Sequence, residues 1–247
     1  MKKPLEEAVF FDYFDAKYLI NLPERKDRLR RVRKQFEKHS LSFNEISLFE
    51  SVKCPEADGF PSTGARGCFL SHLGVLKDAK TRGAEKILIM EDDLGLCRDL
   101  FVLQKNVVQE LKNKKWDMAY LGNKIPRDIK PAAPGEILLV LPAPVRLRGS
   151  HFYAIHGRTV PRMISFLEAM LDRPSGSREG GPMHFDGALG WFRRNNGDVI
   201  TLASRPVLGV QSSTESDIHK KSLDAVALLS CFLRPIRKIK NIIKYGC

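Results

Sequence analysis

Lys86-Ile87-Leu88-Ile89-Met90-Glu91-Asp92-Asp93 is the stretch from which the fold is read. Four large apolar residues in a row suit a strand buried on both faces, as in α/β sheets covered by helices on each side. In an open sheet of that kind ligands bind at the carboxyl ends of the strands, so the three acids stand at the ligand edge. Adjacent carboxylates repel one another, and hard cations such as Mg²⁺ or Mn²⁺ take oxygen ligands. A divalent ion bridging the acids to a phosphate would relieve the repulsion, which is the chemistry of nucleotide-sugar enzymes. The competing reading is an acidic turn before the helix expected from about Arg98. On these residues alone that second reading leads, and the rest of the chain has to decide.

The 247 residues fit one large or two small domains, and 43% hydrophobic with 28% charged residues is an ordinary globular composition. No apolar run approaches the roughly 20 residues that span a bilayer. Ala8-Val9-Phe10-Phe11, flanked by Glu6, Glu7, Asp12 and Asp15, is too short and too acidic for a secretory h-region, so a cytosolic catalytic part is expected. Five cysteines without a Cys-x-x-Cys pair indicate neither a disulfide framework nor a zinc site.

The net charge is +12, and from Lys220 to Cys247 seven basic residues stand against one acid, so half of the excess is local. A second block, Arg25 to Lys34, has seven basic residues against Asp27. Such blocks attract nucleic acid, anionic lipid or phosphorylated small molecules. Nucleic acid is not expected, because the blocks lack interleaved aromatics and a recognised motif.

Tyr18 to Leu22 reads as a strand, and Pro23-Glu24 opens a helix with Leu29, Val32 and Phe36 at helical spacing. Asn21, at this strand-to-helix junction, can bond a nucleobase or ribose, and Arg25 or Arg28 can reach a phosphate or base. Arg30, Arg31 and Arg33 are read as solvated. A second strand is expected from Phe43 to Phe49. The helix opened by Gly64-Ala65-Arg66-Gly67-Cys68-Phe69-Leu70-Ser71-His72 points Ser71 and His72 about 100° apart, so at most one of them faces a ligand. A lone histidine there is more often a core residue.

The series Ile20-Asn21-Leu22-x-x-Arg25-x-Asp27-Arg28, Gly64-x-x-Gly67-Cys68-x-x-Ser71-His72 and Glu91-Asp92-Asp93 resembles glycosyltransferase family 25. That family includes bacterial lipooligosaccharide galactosyltransferases and collagen galactosyltransferase domains. The resemblance runs on through Gly149 to Ala154, Phe185-Asp186, Pro206-x-x-x-x-Gln211 and Ser216-Asp217-Ile218, covering about residues 17 to 219. It implies a GT-A-type α/β fold with a central mostly parallel sheet over residues 17–219. The implied activity is inverting transfer of a hexose, foremost galactose, from a UDP-sugar to a lipooligosaccharide or lipopolysaccharide acceptor. Mn²⁺ or Mg²⁺ would be held by Asp93, with Glu91 and His219 as further ligand candidates. Asn21, Arg25, Arg28, Ser71, His72, Asp92 and Gln211 are candidate nucleotide-sugar contacts, Asp92 being equally able to rigidify the turn.

Farther on, strands are expected at Met118 to Leu121, Glu136 to Leu141, His151 to Ile155 and Val199 to Leu202, and helices at Leu100 to Leu111 and Thr159 to Leu171. Arg173 to Pro182, with Gly176, Gly180 and Gly181, is a lid candidate or an ordinary loop. Asp186, among apolar and aromatic residues, is either a general base or the cap of the helix to Asn195, and the resemblance favours the base. From 220 to 247, Phe232, Ile236, Ile239 and Ile243 recur at spacings of four, three and four beside Arg234, Arg237 and Lys238. That basic amphipathic pattern suits an anionic membrane surface, so a peripheral place on the cytoplasmic face of the inner membrane is expected. Docking of this tail on the protein's own core is the other reading. The rival function is a membrane-surface adaptor with a degenerate UDP-sugar site.

Overall fold

A computed structural model describes residues 9–212. The expectations placed on Asp217, His219 and the 220–247 tail lie outside those residues. Among the described residues, no helix is long and apolar enough to cross a membrane.

The stretch from Ile87 to Met90 is wholly buried, as its unbroken apolar character requires, and forms most of strand β3 (Lys86–Glu91). Beside β3 lie β1 (Ala16–Asn21) and, at the edge, β2 (Ser47–Glu50). The seven-stranded sheet is completed by β5 (Met118–Tyr120), β6 (Leu138–Val140), β7 (Phe152–His156) and β8 (Thr201–Ser204), in the order β2-β1-β3-β7-β5-β8-β6. Strands β2, β1, β3, β5 and β8 run one way, while β7 and β6 are reversed. The sheet is therefore the mostly parallel one expected, with a reversed strand at its centre. A second, two-stranded sheet pairs β4 (Leu94–Leu96) with β9 (Gly209–Gln211).

Helices cover both faces. On one side α3 (Thr63–Thr81), α5 (Val160–Leu171) and α6 (Phe185–Asn195) pack Phe69, Leu76, Met163, Leu167 and Phe192 onto Ile87, Ile89 and Ile155. On the other, α1 (Val9–Asp12), α2 (Lys26–Lys38) and α4 (Arg98–Asn113) pack Phe10, Val32, Phe36 and Leu100 onto Leu88 and Met90. The alternation of partners along β3 is the period-two geometry of a strand between two layers. Phe10 and Phe11, judged from sequence only as too short a run for export, belong to this core with Phe14.

Several expected strands are shorter than their apolar runs. The Phe43–Phe49 run yields strand only from Ser47, since Phe43 to Ile46 closes a turn through Ile46 N to Phe43 O. Glu136 and Ile137 are taken up by side chains instead of the ladder: Glu136 pairs with Lys114, and Glu110 accepts from Ile137 N. The 173–182 segment, read as a lid candidate or an ordinary loop, is packed. Gly180 lies against Met170 and Trp191, Gly181 leaves no room for a Cβ beside Pro174 O, and Arg173 holds the Glu179 and Gly180 carbonyls.

Candidate active site

Two reversed strands deliver side chains to the acid run. Because β7 is antiparallel to β3, its amino-terminal approach, Ser150 and His151, lies beside the carboxyl end of β3, where Glu91 N donates to His151 O at 3.0 Å. Because β9 is antiparallel to β4, with Leu94 opposite Gln211, the Gln211 side chain lies beside Asp93.

The three acids do different things. Asp92 is buried and saturated: Oδ1 accepts from Arg28 Nη1 at 2.9 Å and Oδ2 from Asn21 Nδ2 at 2.7 Å. The Arg28–Asp92 pair, with side chains 7% and 8% exposed, fastens the turn to α2. Along the same face of α2, Arg31 Nη2 reaches Asp92 O at 3.5 Å, and Gln35 brackets β4 by accepting from Leu96 N and donating to Leu94 O. Both Asp92 oxygens are turned to Asn21 and Arg28, contacts that stiffen the turn. Arg31 is half-buried against the acids and not solvated as its charge block suggested; its place three residues after Arg28 was the available signal.

Asp93 is held from one side only. Its Oδ2 accepts from Gln211 Nε2 at 2.8 Å, its carbonyl accepts from Ser212 N, and its Oδ1 is buried with no hydrogen-bond partner. Burial, and then the charge of Glu91, push the Asp93 carboxyl up to about 7, against Gln211 and Arg28. An orphaned buried oxygen on a repelled carboxylate beside a second carboxylate is a set that a hard divalent cation fits. Burial alone would raise Glu91, but hydrogen bonds from His72 and Ser150 and neighbouring imidazole charge hold it below its ordinary value. Glu91 Oε1 accepts from Ser150 Oγ at 2.6 Å and lies 3.3 Å from His72 Nε2.

Of the adjacent pair on α3, His72 faces inward to Glu91, with Nδ1 3.1 Å from Tyr153 Oη and its ring stacked on Phe185 at 4.0 Å. Ser71 turns away, donating to Gly67 O and accepting from Val52 N. It fixes the wall formed by residues 51–53 and does not face the cavity. That cavity, about 520 Å³, is lined by Glu91, Asp92, Asp93, His72, Gln211, Arg25 and Arg28, together with Cys68, Lys53, Gly64 and Gly67. Acids thus sit at its floor with cations at its rim, although Arg25 is paired with Asp27 and Lys53 with Glu24.

Asp186 is not among the cavity's lining residues. Its Oδ2 accepts from Gly149 N at 2.8 Å and its Oδ1 from Gly187 N at 2.7 Å, so it anchors the loop that carries Ser150. It remains near enough that its charge, after burial and Glu91, helps raise the Cys68 thiol well above its ordinary value. Cys68, Ser150 and Tyr153 stood within the motifs quoted from sequence but were given no role. Cys68 had a signal, lying one helical turn before His72, whereas Ser150 and Tyr153 depend on the reversed strand.

Residues 14–127 match the family model described as Glycosyltransferase family 25 (LPS biosynthesis protein). Procollagen galactosyltransferase 1-B of Xenopus laevis is 29% identical over 144 residues, 49% of this chain and 23% of that protein. Inactive glycosyltransferase 25 family member 3 of Homo sapiens is 23% identical over 236 residues, 83% of this chain and 38% of the relative. The chain spans only about a quarter of the length of the galactosyltransferases it matches. Among solved structures, a glycosyltransferase involved in the glycosylation of the major capsid of PBCV-1 superposes with a TM-score of 0.40 at 10% identity, covering 81% of this chain and 93% of that one.

Proposed function

We propose that the protein, whose residues 14–127 match the glycosyltransferase family 25 model, transfers a hexose, galactose before others, from a UDP-sugar to a hydroxyl of a lipid-linked oligosaccharide. The observation that carries this reading is the Asp93 carboxylate, with one buried oxygen unpartnered on the floor of a cavity that Arg25 and Lys53 also line. Asp93 and Glu91 would hold Mn²⁺ or Mg²⁺. Such an ion supplies charge stabilisation for a departing diphosphate. Gln211 orients the Asp93 carboxylate, and the Arg28–Asp92–Asn21 cluster keeps the turn from reorganising as charge develops. Inversion needs a base beside the acceptor hydroxyl, and Asp186 is the candidate, at the end of the Gly149–Ser150 loop and across it from Glu91. The acceptor would approach from that side, with the basic 220–247 tail on an anionic, cytoplasmic membrane surface.

A non-catalytic adaptor that binds UDP-sugars is the second reading, favoured by the match over 83% of the chain to a relative named inactive. Release of UDP from a panel of UDP-hexoses, with lipooligosaccharide acceptors and Mn²⁺, separates the two. Turnover with one donor, lowered at least about 100-fold in Asp93→Asn, is expected from the loss of a charge-stabilising group. Binding of UDP without turnover of any donor would establish the adaptor.

A further inference from the structure

Cys68 and His72 lie one turn apart on α3, so both side chains project from the same face, toward the end of β3. Across from them stands Glu91. The Cys68 sulfur, an imidazole nitrogen of His72 and a carboxylate oxygen of Glu91 all lie within 4.8 Å of one another. From these positions we propose a second cation site in the cavity, for a thiophilic ion of the Zn²⁺ type, made by Cys68, His72 and Glu91.

The distances support it. Two nitrogen or oxygen ligands about 2.0–2.1 Å from a tetrahedral zinc stand roughly 3.3 Å apart, and His72 Nε2 is 3.3 Å from Glu91 Oε1. His72 is also braced from behind, as metal-ligating histidines characteristically are. Tyr153 Oη meets His72 Nδ1 at 3.1 Å, while Ser150 Oγ donates at 2.6 Å to Glu91 Oε1, the oxygen that faces His72, and fixes its place. With the ring proton on Nδ1, Nε2 presents its lone pair to the ion. All three ligands line the cavity, leaving a fourth position open toward it. Sulfur and imidazole select a softer ion than the oxygen-only pair of Asp93 and Glu91. The sulfur binds as thiolate, so one S–metal bond forms for each Cys68 proton released to solvent. Because Glu91 is common to both sites, the soft ion takes a ligand from the hard one. Zinc would then inhibit a manganese-supported transfer, a consequence that rests on the proposed function, whereas the site itself does not.

Co²⁺ titrated into the reduced, metal-free full chain tests the site through the thiolate-to-cobalt charge-transfer absorption. One Co²⁺ per chain should produce the band, and stoichiometric Zn²⁺ should remove it. Asp93→Asn and Cys54→Ser should keep it, and Cys68→Ser should lose it with an unchanged far-ultraviolet dichroism spectrum. Should Cys68→Ser not fold, alkylation of the wild-type chain read by mass spectrometry replaces it: Zn²⁺ should slow modification of Cys68 at least tenfold. No band, a band kept without Cys68, a band lost in Asp93→Asn, or alkylation of Cys68 unslowed by Zn²⁺ would each overturn the proposal. None of these readings depends on UDP release, so the site and the transfer reaction fail separately.

Discussion

Asp92 and Asp93 are chemically identical neighbours that the fold sends to opposite uses. Asp92 spends both oxygens on Arg28 and Asn21, while Asp93 keeps one oxygen buried and unbonded. Removing one partner of a buried pair strands the other charge, at a cost of about 3–5 kcal/mol. Asp92→Ala should therefore lower the urea-unfolding free energy by about that much, and a loss under about 1 kcal/mol would show that the pair does not hold the turn. Asp93→Asn should cost far less in metal-free protein, since it removes a carboxylate whose charged form burial already disfavours. That three acids end a buried strand was legible in the sequence. Which acid is spent was not, because the partners of Asp92 lie 71 and 64 residues away and no local pattern reports them.

At the level of elements, the approach of α3 to the 51–53 segment shapes one wall of the cavity. A Cβ on Gly67 would come within 2.4 Å of the Val52 carbonyl oxygen, and since that oxygen is backbone the wall itself would have to move. Gly67→Ala should cost about 1–3 kcal/mol as an overpacked contact and weaken UDP binding at the same time, by calorimetry. Unchanged stability and affinity would mean the wall is not set by this contact. Helices α3, α4 and α5 were legible from their apolar spacing, and β3 from its unbroken run. The reversal of β7 was not, because buried parallel and antiparallel strands both read as continuous apolar stretches. Strands β4 and β9, three residues each, are too short for any periodicity to show. Ser150 and Tyr153 therefore entered only as members of the Gly149 to Ala154 run with no role assigned, although Gln211 on antiparallel β9 was pointed to.

Across the whole molecule, a sheet between two helical layers leaves its carboxyl edge as the place where α2, α3, β7 and β9 converge. One carboxylate far from that edge ties the layers together. Asp117 accepts from Arg158, Thr159 and Ile200 N, joining β5 to the start of α5 and the approach to β8. Burial opposes ionisation of Asp117, but the Ile200 amide, Arg158 and Thr159 outweigh it and hold the carboxyl below its ordinary value. A lowered folded-state value means a contribution present above the unfolded value, near 3.9, and lost as pH falls through the folded one. Asp117→Asn should thus cost about 1–3 kcal/mol near neutral pH, with the gap to wild type narrowing below about pH 4 in thermal unfolding. A gap that widens in acid would contradict that role.

The claim on which the account turns is that the acid-floored cavity takes a nucleoside diphosphate through a divalent cation at Asp93. Calorimetric titration of UDP into the full chain, with Mn²⁺ and again with the metal chelated, reads that claim without needing an acceptor. We predict binding that weakens at least tenfold on chelation and to the same degree in Asp93→Asn with Mn²⁺ present. UDP binding as tight without metal as with it, or untouched by Asp93→Asn, would contradict it.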